Sequence, residues 1–191
     1  MNNPIAQFQT WFTEATNQSN DTIPSACCLS TQGLDGYPNA RFVSLKDVID
    51  GKFLVAGSMA SRKGQELKAQ PKAALTFWWD ALERQVRIQG DVAFADEALA
   101  QALFLARSRD SQIVSSICRQ GAVIENPSEL ENQFETISNA ASAPAIEVPP
   151  GWGAILIAPK RIEFMTFRKS RLHERKLYEK GDNWVESYLA P

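Results

Sequence analysis

Arg84-Gln85-Val86-Arg87-Ile88-Gln89-Gly90-Asp91-Val92-Ala93-Phe94 decides the fold. Val86, Ile88, Val92 and Phe94 share one parity, while Arg87, Gln89 and Asp91 take the other. Successive side chains of a strand point to opposite faces, so 83–94 reads as a half-buried antiparallel strand. A second long strand, 73–79, lies just before it. Farther upstream, 25–31, 40–47 and 52–57 also read as strands, with Gly33, Asp35, Gly36 and Pro38 marking one turn and Asp50-Gly51 a tight hairpin. Downstream, 153–166, 171–178 and 183–189 complete the set, the last after a Gly181-Asp182 turn.

Helices occupy the gaps. Asn3-Pro4 combines an N-cap with proline at the first helical position, and Ile5, Phe8, Phe12 and Ala15 follow at helical spacing until the polar stretch Asn17 to Asp21. A short helix follows Ser61 and stops before Pro71. Asp96 caps a helix carrying Leu99, Leu103 and Ala106, and a further helix covers 110–119. Asn126-Pro127-Ser128-Glu129 opens another, with Leu130, Phe134 and Ile137 on one face. Residues 140–151, rich in Ala and Pro, read as a linker or surface loop. Hairpins dominate, and neither a βαβ alternation nor a GxGxxG motif is present, which argues against a dinucleotide-binding fold. The expectation is one mainly β domain over residues 1–191, an antiparallel barrel with peripheral helices.

The chain has 191 residues, 44 % of them hydrophobic, and 20 basic against 22 acidic side chains give a net charge of −2. This is a globular composition, and its charge argues against broad nucleic-acid or acidic-membrane binding. No apolar run approaches the ~20 residues that span a bilayer, and Met1-Asn2-Asn3-Pro4 lacks the features of a signal peptide. Cys27, Cys28 and Cys118 make a poor disulfide framework, so a reducing cytoplasm is expected. His173 is the only histidine, and with no cysteine cluster beside it no metal site is expected.

Against that near-neutral background, four basic segments stand out. If 171–178 is a strand, Arg171, His173 and Arg175 share a face and repel one another unless an anion lies opposite; a solvated barrel exterior is the plain alternative. Arg62 and Lys63 sit at a helix start, where the dipole prefers negative charge, so a bound phosphate would remove the conflict; a basic surface helix is equally simple. Arg107 and Ser111 could grip a second phosphate, while Asp110 could be an N-cap beside solvated arginines. Arg41 and Lys46 have opposite parity and share a face only if a bulge or strand end intervenes. Together the four suggest a pocket for a ligand with more than one phosphate-like group. Trp78-Trp79 reads as core or subunit interface, and Cys118 as a small buried apolar residue.

Arg41–Lys46, Ser61-Arg62-Lys63, Leu82-Glu83-Arg84-Gln85-Val86, Ser108-Arg109-Asp110-Ser111-Gln112, Arg171-Leu172-His173-Glu174-Arg175 and the terminal Leu189-Ala190-Pro191 occur in this order. In this the chain resembles the pyridoxine/pyridoxamine 5′-phosphate oxidases over almost its whole length. The resemblance implies an FMN-binding split β-barrel and a homodimer with FMN at the subunit interface. It further implies oxidation of pyridoxine or pyridoxamine 5′-phosphate to pyridoxal 5′-phosphate, with O2 as acceptor and H2O2 as product. Carried over by position, Arg41, Phe42, Val43, Ser44, Leu45, Lys46, Ala56, Gly57, Arg62, Lys63, Gln85, Gln120, Gly121 and Arg175 would line the FMN site, with Met165 where the family has a flavin-contacting Trp. Lys46, Arg107 and Ser111 would hold the substrate phosphate, and Arg171 and His173 would hold the pyridine ring against the flavin.

Other departures are Leu103 in place of a family Tyr, Phe167-Arg168 in place of small residues, and a very short segment ahead of the first helix. They keep two alternatives open. One is an FMN-dependent oxidase of another substrate, of the phenazine-biosynthesis type. The other is a non-catalytic split barrel that binds flavin, haem or pyridoxal phosphate.

Overall fold

The computed structural model describes residues 3–18, 22–140 and 145–191. Its strands are β1 (Ala26–Gln32), β2 (Pro38–Ile49), β3 (Lys52–Ser58), β4 (Lys72–Trp79), β5 (Arg84–Phe94), β6 (Trp152–Thr166), β7 (Glu174–Lys180) and β8 (Trp184–Leu189). They form one sheet in the order β3-β2-β1-β4-β5-β6-β7-β8, and an additional β3–β6 pairing closes six of the strands into a barrel. The helices are α1 (Pro4–Gln18), α2 (Arg62–Ala69), α3 (Glu97–Leu105), α4 (Arg109–Ile117) and α5 (Pro127–Ser138). By contact density the chain divides into two compact units: Met1–Val55 with Glu66–Ala93 and Ile155–Pro191, and Ala56–Gln65 with Phe94–Ala154. No helix among the described residues is long and apolar enough to cross a membrane.

In the first unit the alternation of β5 does what its pattern requires. Val86 and Ile88 are fully buried, while Arg87 and Gln89 are exposed. At Gly90 a Cβ would lie 2.3 Å from the Ala158 carbonyl oxygen, so only glycine allows that approach. Phe94, expected inside, is 43 % exposed and is the first residue of the second unit's 94–154 segment. The pairing with β4 ends at Lys72↔Asp91, so Phe94 lies beyond the two-stranded register that would cover it. Asp50 and Gly51 have φ of 49° and 73°, both in the left-handed region that a two-residue hairpin of the primed kind needs. Asn3 caps α1 through the Ile5 amide at 3.0 Å. The helix then lays Phe8 against Phe53 (4.8 Å), Phe77 (5.1 Å) and Trp79 (6.1 Å). Burying a side chain of this size is worth about 1.5–3 kcal/mol, so this cluster anchors the barrel interior.

In the second unit Asp96 caps α3 and Asn126 caps α5, as expected. For α4 the cap is Ser108, not Asp110: its hydroxyl accepts from the Ser111 amide, and Asp110 falls in the first turn. Of the expected linker 140–151, residues 141–144 and the polar stretch at 19–21 lie outside the described residues.

One element differs in a way that matters. β7 begins at Glu174, so Arg171, Leu172 and His173 are not in a strand. Arg171 has φ of 68°, a left-handed conformation that ends any two-residue alternation. The shared strand face of 171, 173 and 175 is therefore corrected: 171 and 173 belong to a turn, and only 175 to the sheet.

Candidate functional site

Within the smaller unit, Ser61-Arg62-Lys63-Gly64 turns from β3 into α2. A Cβ on Gly64 would sit 2.4 Å from the Met59 carbonyl oxygen, so the turn closes only around glycine. Lys63 is thereby folded inward and is 8 % exposed. Its ammonium donates to Ser61 Oγ at 3.0 Å and Gln120 Oε1 at 2.8 Å. A Cβ on Gly57 would touch Lys63 Cε and Nζ at 3.4 Å. Sequence positions 57, 63 and 120 thus meet at one buried cation. Arg62 and Gln120 are exposed, Ala56 is half-buried, and Gly121 takes a φ of 85°.

Arg107 follows α3. Its guanidinium donates to Ser115 Oγ at 2.5 Å and lies 4.5 Å from the Trp152 ring, which itself packs on Phe104 at 5.3 Å. Burial lowers the pKa of this group from its ordinary value. Ser111, half-buried, accepts a hydrogen bond from Ser108 Oγ at 2.9 Å. The side-chain partner of Arg107 is thus Ser115, one turn beyond Ser111. Leu103 is half-buried on α3, and Cys118 is half-buried at the end of α4, not fully enclosed.

Within the larger unit, Arg41 is turned into the protein. It donates to Glu66 Oε2 at 2.8 Å, to Thr31 Oγ1 at 2.5 Å and to the Leu29 carbonyl at 3.2 Å. Glu66 is fully buried and also accepts from Thr31 Oγ1 at 2.6 Å and Asn39 Nδ2 at 2.8 Å. Lys46 sits at a β-bulge: Leu45 pairs with Val55 and Asp47 with Leu54, which leaves Lys46 as the extra residue. The bulge supplies the interruption that Arg41 and Lys46, of opposite parity, need in order to share a face. Phe42 is 79 % exposed, Val43 and Ser44 are half-buried, and Leu45 is buried.

Gln85 Nε2 donates to Met165 Sδ at 3.8 Å, and Met165 lies opposite Arg175 in the β6–β7 ladder. Arg175 donates from Nε to Glu163 Oε1 at 2.8 Å and from Nη1 to the Ala190 carbonyl at 3.0 Å. The terminal Leu189-Ala190-Pro191 motif is thereby tied to the Arg-Leu-His-Glu-Arg motif. Glu163, 4 % exposed, also accepts from Arg87 at 3.2 Å. Arg171 is exposed. His173 is half-buried, its Nδ1 accepting from the Arg168 amide at 3.1 Å and its ring 5.0 Å from Phe167. Trp78, 54 % exposed, packs on Phe167 at 4.7 Å, while Trp79 is in the core.

The sequence reading missed Glu66 and Glu163. Glu163 carried a signal: a carboxylate inside the apolar run Ile162-Glu163-Phe164 is costly unless a cation meets it. Glu66 follows a basic helix start, and its partners come from distant strands, so no local pattern marks it.

The family described as pyridoxamine 5′-phosphate oxidase matches residues 20–141. The pyridoxine 5′-phosphate oxidase C-terminal dimerisation region matches residues 152–191. A pyridoxine/pyridoxamine 5′-phosphate oxidase of Thermosynechococcus vestitus is 41 % identical, covering 98 % of this chain and 89 % of the relative. One of Gloeothece citriformis is 38 % identical, covering 99 % of this chain and 89 % of the relative. Among solved structures, PhzG from Burkholderia lata in complex with tetrahydrophenazine-1-carboxylic acid superposes with a TM-score of 0.89 at 25 % identity, over 98 % of this chain and 92 % of that one. An FMN-binding protein of Nostoc punctiforme shares the fold, with a TM-score of 0.78 at 17 % identity over 97 % and 96 % of the two chains.

Proposed function

The chain belongs to the pyridoxamine 5′-phosphate oxidase family, and from that premise we propose that it is an FMN-dependent oxidase. Its reaction would convert pyridoxamine or pyridoxine 5′-phosphate to pyridoxal 5′-phosphate, with O2 as acceptor and H2O2 as product. The observation that carries the proposal is the buried Lys63 ammonium at the first turn of α2, held by Ser61 and Gln120 against the bare Cα of Gly57. A cation kept out of water at a helix start is a place where a phosphate monoester is stabilised by charge and by free amides together. The donor set fits FMN.

Under this proposal Arg62, Lys63, Gln120, Gly121, Ala56 and Gly57 hold FMN, together with Arg41–Lys46, Gln85, Met165 and Arg175. Arg41 enters as a charge oriented by Glu66, and Arg175 as one oriented by Glu163. When bound, FMN would supply the two-electron redox chemistry that this oxidation requires. The remaining work belongs to the chain. Lys46, Arg107 and Ser111 bind the substrate phosphate, with Arg107 stiffened by the Trp152 face and Ser115. Arg171 and His173 orient the pyridine ring, and such positioning is worth up to ~7–11 kcal/mol of barrier. The protein acts as a homodimer, consistent with its C-terminal match to a dimerisation region.

Purified protein with bound flavin should release H2O2 on addition of pyridoxamine 5′-phosphate. A second reading, oxidation of a reduced phenazine carboxylic acid, draws support from Leu103, Met165 and the likeness to PhzG. Peroxide or product from the phenazine precursor alone would select that reading and overturn the first.

A further inference from the structure

The turn 167–173 connects β6 to β7 and carries both residues assigned above to the pyridine ring. It is braced at several points. The Phe167 amide donates to the Glu83 carbonyl at 2.8 Å, the Arg171 amide to the Arg168 carbonyl at 2.9 Å, and the His173 amide to the Arg171 carbonyl at 2.9 Å. The backbone between Arg168 and His173 is therefore folded tightly, which brings the Arg168 N–H to the imidazole of His173. That amide donates to Nδ1 at 3.1 Å. Phe167 meets the same ring edge-on at 5.0 Å with planes 65° apart, and Trp78 backs Phe167 at 4.7 Å.

A ring nitrogen that accepts a hydrogen bond carries no proton. A backbone amide can only donate, so it cannot adapt to a proton on Nδ1. The geometry points to one tautomer: we propose that the 167–173 turn holds the neutral form of His173 in the tautomer protonated at Nε2, so that it meets its ligand as a hydrogen-bond donor. Phe167 is the positioning residue that keeps the ring in that orientation, with Trp78 behind it. In the other tautomer a proton on Nδ1 would face the Arg168 N–H and the bond would be lost. A donor suits an electron-rich acceptor on the substrate, either a phosphate oxygen or the ring hydroxyl oxygen of a pyridine-type ligand.

The donor role rests on the substrate reading given above; the tautomer does not. His173 is the only histidine, so its two ring nitrogens can be read without assignment by elimination. The test is 15N NMR of histidine-labelled protein, with FMN bound, at a pH above which the ring signals stop moving. The expected spectrum has a proton on Nε2 and a pyridine-type Nδ1. A proton on Nδ1, or signals averaged between tautomers, overturns the proposal. In Phe167→Ala the signals should move toward the average while the unfolding midpoint stays close to that of the parent. An unchanged spectrum removes Phe167 from the role.

A second arm reads the donor. His173→Gln places an amide N–H near Nε2, and His173→Asn places one near Nδ1. With pyridoxamine 5′-phosphate, kcat/KM should fall about tenfold or less for Gln and more than a hundredfold for Asn. Equal losses contradict the donor role. Absence of turnover in the parent protein contradicts the substrate reading instead and leaves the NMR result standing as the measure of the tautomer.

Discussion

Glu66→Ala is the sharpest probe of how the site's charges are held. The carboxylate is fully buried and receives Arg41 and Thr31 on Oε2 and Asn39 on Oε1. Removing it leaves a guanidinium, a hydroxyl and an amide facing a small void. Breaking a buried ion pair by deleting one partner costs about 3–5 kcal/mol. The Arg41 side chain keeps 22 % exposure, so part of its charge regains water and the lower end applies, about 3 kcal/mol. For a chain of this length that corresponds to a fall in Tm of roughly 6–12 °C. Glu66→Gln keeps the shape and one acceptor, and Asn39 can turn its amide to accept from the new N–H, so about 1–2 kcal/mol is expected.

Urea unfolding followed by tryptophan fluorescence measures both. A double-mutant cycle with Arg41→Ala should give a coupling of at least about 1 kcal/mol. A loss below about 1 kcal/mol for Glu66→Ala, or strict additivity with Arg41→Ala, refutes the account of Arg41 as a charge oriented from inside the protein.

Gly64→Ala forces a methyl into the Met59 backbone at 2.4 Å, so the variant should lose about 1–3 kcal/mol and bind FMN more weakly by fluorescence titration. Glu163→Gln should weaken FMN binding with a smaller effect on Tm, because it frees Arg175 and Arg87 while keeping the side chain's volume. Burial pushes the Cys27 thiol up to about 12 from an ordinary value of 9.0. The folded state therefore holds this proton more tightly than the unfolded chain, and the stability it contributes is full below pH 9.0 and lost as pH rises toward 12. Thiol titration at pH 8 should accordingly label Cys28 and Cys118 in the native protein, and Cys27 only after unfolding; rapid native labelling of all three would contradict this.

Much of the barrel was legible because its information is local. The alternation in β5, the Asp50-Gly51 hairpin and the Asn3, Asp96 and Asn126 caps each act within a few residues, and each stands where its chemistry demands. The misread segment shows the limit. Arg171-Leu172-His173-Glu174-Arg175 satisfies a two-residue period over too few positions to separate strand from turn, and a left-handed Arg171 leaves no mark in a stretch without glycine. At Ser108-Arg109-Asp110, two good capping residues compete, and the backbone selects Ser108 because its hydroxyl reaches the Ser111 amide.

The residues that hold the site together were hidden for a different reason. Arg41 meets Glu66 across 25 positions and Arg87 meets Glu163 across 76, separations over which no sequence pattern repeats. The cationic segments themselves were visible as outliers against a balanced charge. What the sequence could not show is that Arg41 and Arg175 are each tethered to a buried carboxylate, which makes them fixed charges instead of mobile ones.

Anaerobic titration of FMN-loaded protein with pyridoxamine 5′-phosphate tests the central proposal most directly. Stoichiometric bleaching of the visible flavin band, reversed by admitting O2 with one H2O2 formed per flavin, is the expected result. Protein that holds FMN firmly yet keeps its full flavin colour at saturating pyridoxamine and pyridoxine 5′-phosphate would contradict it.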